Sequence, residues 1–138
     1  MRYFAWAVAV LGLLAVNPAQ ADAQVTNPVR LKQNSPNPFN PETTIPFVLI
    51  EELWEVDKPV VSLRIYNVLA QLVAIPVLQA TGEKFDNIAL DWNGTGEYEA
   101  FWDGKVLDTG REAASGVYVY QIILNGRIAA SKKMTVIK

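Results

Sequence analysis

The clearest ligand-like spacing in the chain is Asp91, Asn93 and Thr95, followed by Gly96 and then Glu99. A hard cation such as calcium takes several oxygen ligands, and alternating carboxylate, amide and hydroxyl positions before a glycine imitate the first half of a calcium loop. The twelfth position of such a loop should be a bidentate glutamate, and here it is Trp102. The same residues suit an ordinary Asx-rich turn, so no metal or cofactor is assigned. A second group is aromatic: Trp54, Trp92, Tyr98, Tyr118 and Tyr120 could stack sugar rings or dock a protein, or could serve packing and cross-strand pairing alone. Glu51, Glu52, Glu55 and Asp57 cluster in sequence, yet nothing sets two carboxylates across a definable cleft, and they read as a solvated acidic loop.

The chain has no histidine and no cysteine. This removes the side chain that titrates nearest neutral pH, thiolate nucleophiles, thiolate metal sites and disulfides. Acid–base chemistry would fall to a tuned carboxylate or lysine. No catalytic residue is assigned, and the chain is expected not to be an enzyme. A formal charge of −2 suggests neither a nucleic-acid partner nor a polybasic membrane patch.

The elements that would position these residues begin after an export leader. Met1-Arg2 is followed by an apolar stretch from Tyr3 to Val16, then Asn17-Pro18 and the small-x-small sites Ala19-Gln20-Ala21 and Ala21-Asp22-Ala23. This is the signature of a signal peptide. The apolar run falls short of the roughly 20 residues needed to cross a bilayer, and it has no polar face to suit a helix of the fold. Residues 1–23 are therefore read as a cleavable signal peptide, 24–30 as a short tether and 31–138 as a single domain. With no cysteine after the leader, the product is not a lipoprotein, and no transmembrane segment remains after cleavage. It is expected in the periplasm, at the cell surface or outside the cell.

From the end of the tether into the domain, Val29 to Gln33 alternates as a half-buried strand. Asn34-Ser35-Pro36-Asn37-Pro38-Phe39-Asn40-Pro41 can be neither helix nor central strand, and reads as a rigid corner with Phe39 pinned in the core. Thr43 to Ile50 is a strand whose Pro46 implies an edge or a bulge. Residues 51–59 suit one helical turn or an acidic loop under a Trp lid. Val61, Leu63 and Ile65 alternate with Ser62, Arg64 and Tyr66 in a half-buried strand. Leu72 to Leu78 is a second strand with Pro76 at an edge, Ile88 to Leu90 a short strand, and Glu97 to Trp102 a strand ending at Asp103-Gly104. Asn125-Gly126 between two β-rich runs, Val117 to Leu124 and Arg127 to Ile137, is a strong hairpin signal. About seven short strands without a long helix predict an all-β, antiparallel β-sandwich.

Four ordered blocks then become specific: Asn34 to Ile45 with its Pro36-Asn37-Pro38-Phe39-Asn40-Pro41 centre, Val61 to Leu69 with Tyr66, Phe101-Trp102-Asp103-Gly104 leading to Ser115-Gly116-Val117-Tyr118, and Lys132 to Lys138. The series resembles the bacterial immunoglobulin-like module of the flagellar hook-capping protein and of type A C-terminal sorting domains in type IX secretion substrates. The resemblance implies an immunoglobulin-like sandwich that is exported and then recognised by an outer-membrane translocon. With only a tether between leader and domain, the domain would be its own cargo. The resemblance also implies that the terminal strand, with Lys132, Lys133, Met134, Val136 and Lys138, is the surface inspected. Ala70 stands where the family usually has a glycine after the leucine, and residues 53–58 and 81–95 look like insertions where a private binding surface would lie.

The expected function is thus an exported, non-catalytic β-sandwich that acts through a protein partner, either the secretion translocon or an envelope or extracellular assembly. Two other readings stand beside it: a self-associating surface or filament subunit built by β-strand addition, and a small carbohydrate-binding module.

Overall fold

A computed structural model describes residues 27–138. The expected signal peptide and tether residues 24–26 lie outside them. Alternation sets the pattern of the sheets: in β2 (Thr43–Leu49) every second residue is buried, as in β8 (Gly116–Leu124) from Tyr118 onward. Period-2 burial is what a strand with one face on a core requires. The other strands are β1 (Val29–Leu31), β3 (Val60–Tyr66), β4 (Leu72–Ala74), β5 (Val77–Leu78), β6 (Ile88–Ala89), β7 (Glu97–Trp102) and β9 (Arg127–Val136). One sheet has the order β1-β2-β7-β5. The other has the order β4-β3-β8-β9, with β6 also paired to β3. All strand pairs are antiparallel.

Both sheets feed one core. Ile45 and Phe47 from the first, and Leu63, Ile65, Tyr120 and Ile122 from the second, are fully buried. Each such apolar side chain contributes about 1.5–3 kcal/mol by leaving water.

The strand count of about seven becomes nine, partly because the expected strand Leu72 to Leu78 is two. Ile75-Pro76 carries the chain from β4 in one sheet to β5 in the other. Proline cannot donate to a ladder, so the crossing falls where a donor is dispensable. The carbonyl of Pro76 accepts from Phe85 (2.9 Å) and Leu78 donates to Glu83 (2.7 Å), so residues 83–85 cover the outer side of β5.

Pro46 corrects a second expectation, because β2 is an inner strand with β1 and β7 on either side. Its carbonyl accepts from Lys32 N–H at 3.0 Å, and an ordinary residue there would return an N–H to the Lys32 carbonyl. Proline has none. The Lys32 carbonyl instead accepts the Tyr120 hydroxyl, at 2.7 Å, and that oxygen also accepts from Asn34 N–H at 3.0 Å. A side chain from the opposite sheet thereby replaces a missing ladder bond.

The hairpin at Asn125-Gly126 has positive φ at both residues, 49° and 84°, as a type I′ turn needs. Ala70 sits at φ 62°, left-handed without a glycine. The surrounding turn fixes it: the Asn67 side-chain oxygen accepts from Leu69 and Gln71 N–H, both at 3.0 Å, and Ala70 N–H bonds the Asn67 carbonyl. No helix among the described residues is long and apolar enough to cross a membrane.

Candidate functional site

The proline-rich corner and the terminal strand, assigned from separate parts of the sequence, meet. Phe39 is buried and packs edge-on against Trp102, with ring centres 5.5 Å apart, and Trp102 packs in turn on Tyr118 at 5.9 Å. Phe39 N–H donates to Thr135 C=O (3.1 Å), and Ile137 N–H donates to Phe39 C=O (3.0 Å). The Asn37 side chain accepts from Thr135 N–H (3.0 Å), and that of Gln33 donates to Lys133 C=O (2.9 Å). The corner thus satisfies edge groups of β9 that would otherwise invite another strand.

Local hydrogen bonds hold the corner. Buried Asn34 donates to Pro36 C=O and to Thr43 Oγ1, both at 3.0 Å, and Thr43 Oγ1 donates to Pro36 C=O at 2.9 Å. Pro36, Pro38, Asn40 and Pro41 are exposed. Gly104 has no room for a side chain, since a Cβ there would lie 1.9 Å from the Pro41 carbonyl oxygen. The Asp103 carboxylate accepts from Lys105 N–H at 3.0 Å and caps the same turn.

At the far end of β8, Ser115 Oγ accepts from Lys138 N–H (3.0 Å) and the Tyr118 hydroxyl donates to Ala114 C=O (2.7 Å). Gly116 pairs with Val136, and Val117 is exposed. Tyr66, half-buried, lies in a cross-strand row with Val119 and Lys133. Of the residues expected on the inspected strand, Lys132, Lys133 and Lys138 are exposed, whereas Met134 and Val136 face the core. Of these five residues only the three lysines are therefore open to solvent.

Residues 53–58 and 81–95 also come together. Residues Glu51–Trp54 form a short 3-10 helix. Trp54 reaches out of it to donate from Nε1 to Leu90 C=O at 2.9 Å. Its ring stacks on Tyr98 (6.4 Å) and meets Trp92 edge-on (5.0 Å). Lys58 Nζ lies 2.6 Å from the Asp91 carboxylate, and that bond and charge raise the lysine's pKa. The Tyr98 hydroxyl donates to Asp91 C=O, and burial pushes its pKa up. Beside this cluster runs a groove of about 510 Å³, with Leu78, Ile88, Leu90 and Tyr98 among its apolar walls and Glu83, Glu97 and Glu99 on its rim.

The calcium-like residues are engaged otherwise. Asn93 Oδ1 accepts from Thr95 and Gly96 N–H, at 3.1 and 2.8 Å, and the Asp91 carboxylate is on Lys58. Of the two readings of the five aromatics, a shared binding face and packing, the structure supports packing for the two on β8. Tyr118 and Tyr120 are buried in the core, and only Trp54, Trp92 and Tyr98 cluster. Sequence reasoning missed the Trp54–Leu90 and Lys58–Asp91 contacts, for which the one signal was a lone Trp inside an acidic stretch.

No family model and no curated protein sequence matches the chain. Among solved structures, it is similar to a Pseudomonas fluorescens alkylpurine DNA glycosylase, AlkC, bound to DNA containing an abasic site analogue. The TM-score is 0.53 and the identity 13%, over 87% of this chain and 33% of that one. The chain thus spans about a third of that protein's length, and at this identity the likeness concerns the fold. It corrects one expectation. The chain was read as not an enzyme, but this all-β fold recurs within a chain that is one, so the fold gives no ground for setting catalysis aside.

Proposed function

We propose that the chain is an exported immunoglobulin-like β-sandwich of the kind used as type A sorting domains in type IX secretion, and that it acts by being recognised. A leader at residues 1–23 takes it across the inner membrane. The outer-membrane export machinery, or an envelope assembly, then reads the edge of β9. The observation that carries this reading is the clamp between the corner and β9: Phe39, Asn37 and Gln33 hold the strand in place and leave Lys132, Lys133 and Lys138 exposed. A strand whose backbone is fixed in this way presents its lysines from a pre-organised support, which lowers the ordering cost of binding.

The burial of Met134 and Val136 determines how this should be tested. Truncating residues 134–138 would remove core side chains and unfold the domain, so charge reversal is the better perturbation. A reporter carrying the domain with K132E, K133E and K138E should melt within a few degrees of the parent, yet fail to reach the cell surface in a bacterium with type IX machinery. Surface delivery equal to the parent's would refute the role of β9.

A further inference from the structure

Charge is segregated along this chain in a way that its net value of −2 conceals. Of its 14 acidic residues, nine fall within residues 51–58 and 79–99, beside only two lysines. By contrast, Arg30, Lys32, Lys132 and Lys133 are exposed on β1, β9 and the residue after β1, where no acidic residue occurs in either strand. The Gln33–Lys133 and Asn27–Ala129 hydrogen bonds bring these two stretches alongside each other. On the first sheet Arg30 lies in one cross-strand row with Val48 and Glu97, and Lys32 and Glu99 flank Pro46, so the acidic and basic patches lie side by side, two strands apart.

The acidic patch is also concave and apolar at its base. Leu78, Ile88, Leu90 and Tyr98 wall the groove, and Glu83, Glu97 and Glu99 on its rim have no ion-pair partner among the described residues. The Trp54–Leu90, Lys58–Asp91 and Asn93 bonds fix its shape before anything binds.

We propose that this groove receives the basic β1–β9 edge of a second copy of the chain. Charge complementarity selects that occupant, because the surface opposite in sign and free of acidic residues is on the same polypeptide. Two unlike patches meet, so the contact either closes reciprocally in a dimer or continues head to tail. Opposed surface potentials give such contacts strong salt dependence. The inference rests on charge distribution and not on the export role, and the two fail separately: one is read on purified protein, the other in cells.

The test uses residues 24–138, since both sheets and the core are complete within 27–138. Sedimentation velocity should show concentration-dependent association at low salt that disappears at an ionic strength of about 0.5 M, where the screening length falls to a few ångströms. E97K with E99K, or K132E with K133E, should each weaken association about tenfold, the loss expected from two rim pairs. Combining all four should restore it, because the charges are then exchanged and not removed. All three variants should melt like the parent. A parent that stays monomeric at low salt up to about millimolar concentration, or a four-fold variant that associates no better than the weaker pair, would overturn the proposal.

Discussion

Replacing Tyr120 with phenylalanine isolates the bond that reconciles Pro46 with an inner strand. The ring is fully buried, so Tyr120→Phe leaves packing intact and removes one oxygen. That oxygen donates to Lys32 C=O at 2.7 Å and accepts from Asn34 N–H at 3.0 Å. Both partners lose their bond at once. An orphaned buried polar group costs about 1–3 kcal/mol, so the variant should lose about 2–4 kcal/mol. For a domain of this size that is a fall in melting temperature of roughly 10–20 °C, read by thermal or urea unfolding. The reasoning is specific enough for a second variant. Pro46→Val supplies the N–H that Lys32 C=O lacks, so in the Tyr120→Phe background it should recover about 1 kcal/mol, while in the parent the carbonyl is already satisfied and the gain should be small. A Tyr120→Phe cost below about 0.5 kcal/mol, or equal effects of Pro46→Val in both backgrounds, would refute the substitution of a hydroxyl for a ladder bond.

Ala70→Gly should stabilise the domain by about 0.5–1 kcal/mol in urea unfolding, because relief of the left-handed strain exceeds the entropy that glycine adds to the unfolded chain. Gly104→Ala should destabilise it by about 3 kcal/mol, from a backbone collision with Pro41 at positive φ. Burial pushes the Tyr120 hydroxyl up to about 12 from its ordinary 10.0, and burial moves Tyr98 and Tyr118 upward too. Above the ordinary value the unfolded chain loses these protons while the folded one keeps them. Stability should therefore hold below about pH 10 and fall by about 2–3 kcal/mol toward pH 12 on account of Tyr120, as measured by urea unfolding across that range. Asn93→Ala should cost about 1–2 kcal/mol by freeing the N–H groups of Thr95 and Gly96.

Much of the fold was legible because its signals are local. The alternation in β3 and β8, the Asn125-Gly126 turn and the proline corner each specify geometry within a few residues. The failures involve contacts across the sheets. Pro46 reads as an edge residue unless the Tyr120 hydroxyl, 74 positions away in sequence, is known to stand in for its donor. Pro76 reads as an edge residue, and β4 and β5 on either side of it are indeed the end strands of their sheets; that the chain changes sheets there depends on where Phe85 and Glu83 can cover β5. Likewise the aromatic residues carried no sign of which would be core: Tyr118 and Tyr120 alternate inward with Ile122, whereas Trp92 stays partly exposed on a loop. That residues 53–58 and 81–95 would meet was not legible, because the Trp54–Leu90 and Lys58–Asp91 contacts join side chains more than 30 positions apart. Fold likeness to part of a DNA glycosylase also shows that an all-β reading does not decide for or against catalysis.

The most direct test joins a reporter to residues 24–138 behind a signal peptide, in a bacterium with type IX machinery and in its translocon-deficient counterpart. Protease accessibility on intact cells should place the reporter at the surface in the first and keep it in the periplasm in the second. Retention in the periplasm of both strains, with the domain folded, would contradict recognition by that machinery.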